Sequence, residues 1–199
     1  TATGAGGGIW NMGTGTTATS AAFLTVTRST VAGNVADGSL RPFGAGGAGG
    51  IGSGLNAETE GLVRVTIRDS AVSGNIANGT GQQMGCGGGI GISAGEAMVI
   101  NSTVSGNRAI GQGPISGFGG GIFVTGMYAA GSVTLVDSTI SDNVAAAGGG
   151  GVAAMSMVCV CGDPSDPDSF CFRLPVYPLE GSTVVVVNTI MANNTAPAD

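Results

Sequence analysis

The sequence predicts an all-β fold, a parallel β-helix of about five three-stranded coils with variable loops, on three observations. The first is an internal repeat. Glycine-rich openers recur at Gly6-Gly7-Gly8-Ile9, Gly49-Gly50-Ile51, Gly87-Gly88-Gly89-Ile90, Gly119-Gly120-Gly121-Ile122 and Gly149-Gly150-Gly151-Val152. Each is followed by a Ser/Thr/Val-rich closer that ends near Asn, beginning at Ser29, Ser70, Ser102, Ser138 and Asn188. Repeats of this size form arrays in which each unit buries its apolar face on its neighbours. The second observation is alternation within the units, the period of a strand. The third is composition. With 40 Gly, many β-branched residues and no helical period, the chain has little to build helices from.

The fourth unit justifies the strands most clearly. Gly121-Ile122-Phe123-Val124, Ser132-Val133-Thr134-Leu135-Val136 and Thr139-Ile140-Ser141 read as three short runs with tight corners between them. Aligned on the closers, one inward column reads Val26, Ile67, Val99, Leu135, Val185. Two positions earlier it reads Leu24, Val65, Ala97, Val133, Thr183. Beyond the corner it reads Val31, Val72, Val104, Ile140, Ile190. Stacked coils lie about 4.8 Å apart, so five make a rod about 24 Å tall.

The corners carry polar columns. Asn34, Asn75, Asn107, Asn143 and Asn193 are expected to form a structural ladder, because Asn tolerates left-handed backbone and its amide can bond the neighbouring coil. Ser29, Ser70, Ser102 and Ser138 form a second corner column. The Gly triplets allow sharp turning or close packing. A phosphate-cradling loop would need a following helix and a Lys, and the chain has neither.

Composition narrows the function classes. The 199 residues carry net charge −6, 42% apolar residues and 9% charged ones, so a core is affordable and the disordered reading fails. There is no Lys and no His, and the six basic residues are scattered Arg. That disfavours nucleic acid, which needs a basic patch. It also removes the commonest general base and metal ligand, so no enzyme is expected. No apolar stretch is long enough for a membrane helix, and none of the segment is expected to insert. The start at Thr1, beside a repeat opener, suggests a processed segment of an exported protein. An acidic balance without Lys, and potential disulfides, fit an extracellular or cell-surface setting.

One domain over 1–199 is expected, with a Cys/Asp/Pro-rich insertion at 153–182 inside the last coil. The insertion holds Cys159, Cys161 and Cys171, with Cys86 alone at the third opener. These four are disulfide candidates, Cys159 or Cys161 pairing with Cys171 and the remaining one available to Cys86. C-x-C with a distant Cys is not a zinc pattern. Asp163, Asp166 and Asp168 offer a calcium site, without EF-hand spacing; no other cofactor is implied. Outward positions read Thr25, Thr66, Met98, Thr134, Val184 and Thr27, Arg68, Ile100, Val136, Val186. Ile100, Val136, Val184 and Val186 form an apolar ladder, a contact surface or a seat for the insertion. Asp69 and Asp137 share a column with Asn101 between them, about 10 Å apart at two coils, the long edge for an inverting carboxylate pair, and read otherwise as a solvated face.

The opener GG-[GA]-[IV] and the closer S-T-[IV]-x-x-N-x-A resemble the repeats of right-handed parallel β-helix surface proteins. The closest likeness is to the polymorphic outer-membrane protein type and to anchored bacterial β-helix proteins. The resemblance runs from Gly6 to Ala196. It implies adhesins, sheath or surface components and, less often, polysaccharide-active enzymes. Three readings follow: a structural or adhesive β-helix that assembles with itself or meets a surface or glycan ligand, a polysaccharide-binding or polysaccharide-cleaving β-helix, and an ice-surface binder.

Overall fold

The structure, a computed structural model, describes residues 7–13, 21–38, 47–55, 62–79, 85–111, 116–126, 130–161, 171–175 and 182–197. These residues form a right-handed parallel β-helix of five stacked coils. Coil 1 contains β1 (Ile9–Gly13), β2 (Ala21–Thr27), β3 (Thr30–Ala32) and β4 (Val35–Asp37). Coil 2 contains β5 (Ile51–Leu55), β6 (Leu62–Arg68), β7 (Ala71–Ser73) and β8 (Ile76–Asn78). Coil 3 contains β9 (Ile90–Ile92), β10 (Gly95–Ile100), β11 (Thr103–Ser105) and β12 (Arg108–Ala109). Coil 4 contains β13 (Ile122–Gly126), β14 (Gly131–Val136), β15 (Thr139–Ser141) and β16 (Val144–Ala145). Coil 5 contains β17 (Val152–Cys161), β18 (Cys171–Pro175), β19 (Thr183–Val187) and β20 (Ile190–Ala192).

Equivalent strands stack in register into four sheets, β1-β5-β9-β13-β17-β18, β19-β14-β10-β6-β2, β20-β15-β11-β7-β3 and β16-β12-β8-β4. Each of coils 1–4 therefore has four strands where the repeat pattern suggested three. The extra one follows the Asn and is only two or three residues long, too short for alternation to reveal. Among the described residues there is no helix, and so none long and apolar enough to cross a membrane.

The core is a column of inward side chains, among them Val65, Ile67, Val72, Val99, Val104, Val133, Leu135 and Ile140. Each sits at 0% exposure, and burying such a side chain stabilises by roughly 1.5–3 kcal/mol. The first four coils follow the columns read from sequence. The fifth is displaced by one residue. Val133 pairs with Val184, Leu135 with Val186 and Ile140 with Met191. A one-residue slip exchanges the faces of a strand. Val184 and Val186 therefore point inward, and Val185 and Val187 take the outward places beside Thr134 and Val136. The expected outward ladder of Ile100, Val136, Val184 and Val186 is corrected to Ile100, Val136 and Val187.

A second apolar cluster lies apart from the column. Phe123 and Cys86 are buried together, with Phe118, Ala153 and Met155 against them. β13 is consequently buried on both faces from Ile122 to Thr125. Cys86 serves there as a small apolar side chain in a thiol rather than a disulfide, which corrects its expected pairing with the insertion. Burial pushes the thiol from its ordinary 9.0 up to about 12, against hydrogen bonding with the backbone of Phe118 and Gly117 that lowers it. A thiol raised in the folded state favours folding fully below the unfolded value and loses that contribution as pH rises. Thermal stability is thus expected to fall from pH 9 towards 12 more steeply in the native chain than in Cys86→Ala. The folded thiol is also expected to resist a thiol reagent at pH 8, because the thiolate is the reactive form.

In the insertion, β17 and β18 pair antiparallel, with Cys161 in register with Cys171 and Cys159 with Arg173. The side chains of these cysteines, and Asp163, Asp166 and Asp168, lie outside the described residues. So does the cover expected from the insertion's Phe170, Phe172, Leu174, Val176 and Tyr177.

Candidate functional site

Two corner columns organise everything that reaches the surface. At the corner after β2, β6, β10, β14 and β19, one residue adopts left-handed backbone: Arg28, Asp69, Asn101, Asp137 and Asn188, with φ of 48°, 52°, 45°, 50° and 45°. Asn and Asp tolerate this region better than other side chains, which accounts for four of the five. After β3, β7, β11, β15 and β20 a second left-handed position is filled by Gly33, Gly74, Gly106, Asp142 and Asn193. Asn193 is therefore the turn residue and is exposed, and the ladder position belongs to Asn194. That corrects the expected fifth rung. Either of two adjacent Asn residues would satisfy the sequence pattern, and only the register chooses between them.

The ladder is continuous and directional. Asn34 donates through its backbone N–H and Nδ2 to Oδ1 of Asn75, at 3.0 and 2.9 Å. Asn75 donates in the same way to Asn107, Asn107 to Asn143, and Asn143 to Asn194. Each Nδ2 above the first also donates to a carbonyl of the coil below: Asn75 to Val31, Asn107 to Val72, Asn143 to Val104 and Asn194 to Ile140, all at 2.9 Å. Asn75, Asn107 and Asn143 are fully buried, so these bonds satisfy groups that water cannot reach. The Ser column runs the same way. The backbone N–H groups of Ser29, Ser70, Ser102 and Ser138 donate to the hydroxyls of Ser70, Ser102, Ser138 and Thr189.

The glycine openers exist to let the ladder fit. A Cβ on Gly50, Gly89 or Gly121 would lie about 3.0 Å from the Asn amide of its own coil. A Cβ on Gly49, Gly88 or Gly120 would lie 2.3–2.5 Å from backbone atoms. The triplet is thus the socket for the Asn corner.

The outward surface of the first corner forms a shallow groove of about 510 Å³ lined by Arg28, Ser29, Thr30, Asp69, Ser70, Ala71 and Asn101. Asn101 Nδ2 donates to Asp69 Oδ1 at 2.7 Å, and Asn188 Nδ2 to Asp137 Oδ1 at 2.5 Å. Asp69 and Asp137 are thereby engaged separately, each by the amide one coil above it. The groove offers a guanidinium, a carboxylate and a carboxamide, groups suited to hydroxyl-rich or mixed-charge ligands. On the flat face beside it, Arg64 and Glu96 bridge two coils at 2.7 Å, both nearly half exposed, a pair worth about 0–1 kcal/mol. The outward Thr column reads Thr25, Thr66, Met98, Thr134, Val185, so the regular Thr lattice of an ice-binding face is interrupted twice.

The two ends of the rod differ. At coil 5, β19 and β20 are the last strands of their sheets. The inward Val186 and Met191 are 46% and 44% exposed, whereas their coil-4 equivalents Leu135 and Ile140 are at 0%. At coil 1, β2 and β3 are the opposite sheet edges, yet Val26 and Val31 are buried and Leu24 is half-buried. Among the described residues no group of three or more metal-ligating side chains converges. No protein-family model, curated protein or solved structure matches the chain.

Proposed function

We propose that the chain is an extracellular or cell-surface β-helix with a structural or adhesive role, and that it associates with itself through its coil ends into a filament or sheath. The observation that carries this reading is the coil-5 end, where inward apolar side chains and two strand edges face solvent. Exposed edges template further strands, and natural proteins cover them unless they are used. The resemblance of the repeats to surface β-helix proteins of the polymorphic outer-membrane type supports the location and the adhesive class. Nucleic acid and membrane insertion have no part in it.

Sedimentation velocity of the non-reduced chain over a concentration series tests the reading. Species that grow with concentration are expected. A single monomer boundary at every concentration overturns self-association.

The corner groove supports a second reading, polysaccharide binding, on the juxtaposition of Arg28, Asp69 and Asn101. Calorimetric titration with a soluble polysaccharide, repeated on Asp69→Asn, tests it. Binding that weakens in the variant is the expected result, and absence of heat in the native chain refutes it.

A further inference from the structure

We infer that self-association of this chain is polar, the coil-5 end of one copy seating on the coil-1 end of the next; the inference rests on the self-association reading above. Its basis is the direction of the two corner columns. Every bond along the Ser column runs from a backbone N–H in one coil to a hydroxyl in the next. Every rung of the Asn ladder runs from a backbone N–H and an Nδ2 to the Oδ1 of the next coil. Such columns end in different chemistry at their two ends. Coil 5 terminates in donors, the backbone N–H groups of Thr189 and Asn194 and the second Nδ2 hydrogen of Asn194. Among the described residues these meet no acceptor. Coil 1 terminates in the acceptors Ser29 Oγ and Asn34 Oδ1, which among the described residues meet no donor, and in the second Nδ2 hydrogen of Asn34, which in the other coils goes to a carbonyl of the coil below.

A second copy placed as a sixth coil would continue both columns without change. Thr189 N–H would meet the partner's Ser29 Oγ, and the Asn194 donors would meet the partner's Asn34 Oδ1. The same register sets Val186 and Met191 over the positions of Val26 and Val31, as Leu135 and Ile140 lie over Val99 and Val104 inside the rod. Joining two like ends would leave the Ser and Asn columns without the N–H-to-oxygen continuation that links every pair of coils inside the rod. It would also oppose strands antiparallel where every coil-to-coil pairing in the rod is parallel. Head-to-tail contact of this kind is heterologous and does not close on itself, so it propagates along the rod axis.

The test uses the 199-residue chain carrying one added thiol on the flat outer face. Thr25 and Val185 stand in the same outward column at opposite ends of the rod and are both exposed. Thr25→Cys and Val185→Cys proteins are prepared, mixed, treated with a short bis-maleimide and mapped by peptide mass spectrometry. Head-to-tail seating brings these two positions together as neighbouring rungs, about 4.8 Å apart. The mixture is expected to yield the mixed linkage, and each protein alone little or none through its added thiol. Ser29→Ala is expected to shift association to higher concentration, since the hydroxyl accepts only across the joint. Symmetric linkages in a sample that still associates would overturn the polarity and leave self-association standing. Absence of concentration-dependent species in sedimentation would overturn both.

Discussion

Replacing Gly120 with alanine is expected to cost about 3 kcal/mol or more, among the largest losses available to a single methyl group in this chain. The added Cβ would lie 2.5 Å from the Gly150 carbonyl oxygen and from the Val144 carbonyl group. All of these are backbone atoms in stacked coils, so no side chain can swing aside. Relief requires the coils to part at that corner. The bonds from Gly120 N to Gly149 O at 3.2 Å and from Gly121 N to Gly150 O at 2.9 Å lie at that opening. Gly106 provides the contrast. Its φ is +62°, but the nearest atom to a Cβ there is Gly74 N at 3.9 Å. Gly106→Ala therefore meets only the left-handed backbone penalty, about 1–2 kcal/mol. Gly106→Asn is expected to be nearly neutral, because Asp142 and Asn193 already hold the equivalent turn. Urea denaturation of the three variants checks the order. Equal losses at Gly120 and Gly106 would show that conformation rather than space selects these glycines.

The second large effect is expected at Asn107. Truncation to alanine removes the acceptor for Asn75 N–H and Nδ2 and the donor to the Val72 carbonyl. It leaves Asn75 N–H without its acceptor, idles one Nδ2 hydrogen of Asn75 while the other still reaches Val31, and takes a donor from the Val72 carbonyl, all in a corner at 0% exposure. At about 1–3 kcal/mol for each buried unsatisfied group, and with some mutual relaxation, a loss of about 4 kcal/mol is expected. Asn107→Asp does not rescue it. The carboxylate keeps an acceptor oxygen but lacks the Nδ2 donor, and it sets negative charge against Asn143 Oδ1. Asn34→Ala loses less, about 1 kcal/mol, because it removes only the Nδ2 donor to Asn75 Oδ1, the backbone N–H remaining, and Asn34 is half exposed so that water can replace the lost hydrogen. A gradient from Asn107 down to Asn34 in denaturation midpoints supports the ladder as a chain of buried amides. A uniform small loss would make it a row of independent corner residues.

Much of this architecture is legible in the sequence because a solenoid repeats its physics every coil. Val65, Ile67, Val72 and their equivalents announce themselves by alternation, and Asn75, Asn107 and Asn143 by falling at one distance from the closing Ser. The fifth coil reads poorly for a definite reason. Asn188-Thr189-Ile190-Met191-Ala192-Asn193-Asn194 invites alignment of Asn188 with Ser138. Yet each closing hydroxyl is preceded by a corner residue, as in Asp69-Ser70, Asn101-Ser102 and Asp137-Ser138. By that rule Asn188 is the left-handed corner and Thr189 the hydroxyl, which moves every later residue by one and hands the rung to Asn194. The buried partnership of Cys86 with Phe123 was not legible, since it lies outside the repeating column and depends on how the segment ahead of each glycine opener folds over the sheet. The direction of the ladder was not legible either. Sequence can place an amide in each coil but cannot say which neighbour receives its hydrogens, and that direction is what distinguishes the two ends.

Negative-stain electron microscopy of the non-reduced chain, on the sample used for sedimentation, tests the central claim most directly. Coil-on-coil stacking predicts thin, unbranched rods whose length increases with protein concentration and whose axial repeat is about 24 Å per copy, five coils at about 4.8 Å each. A field of isolated short particles at every concentration, each about one copy tall, would contradict it.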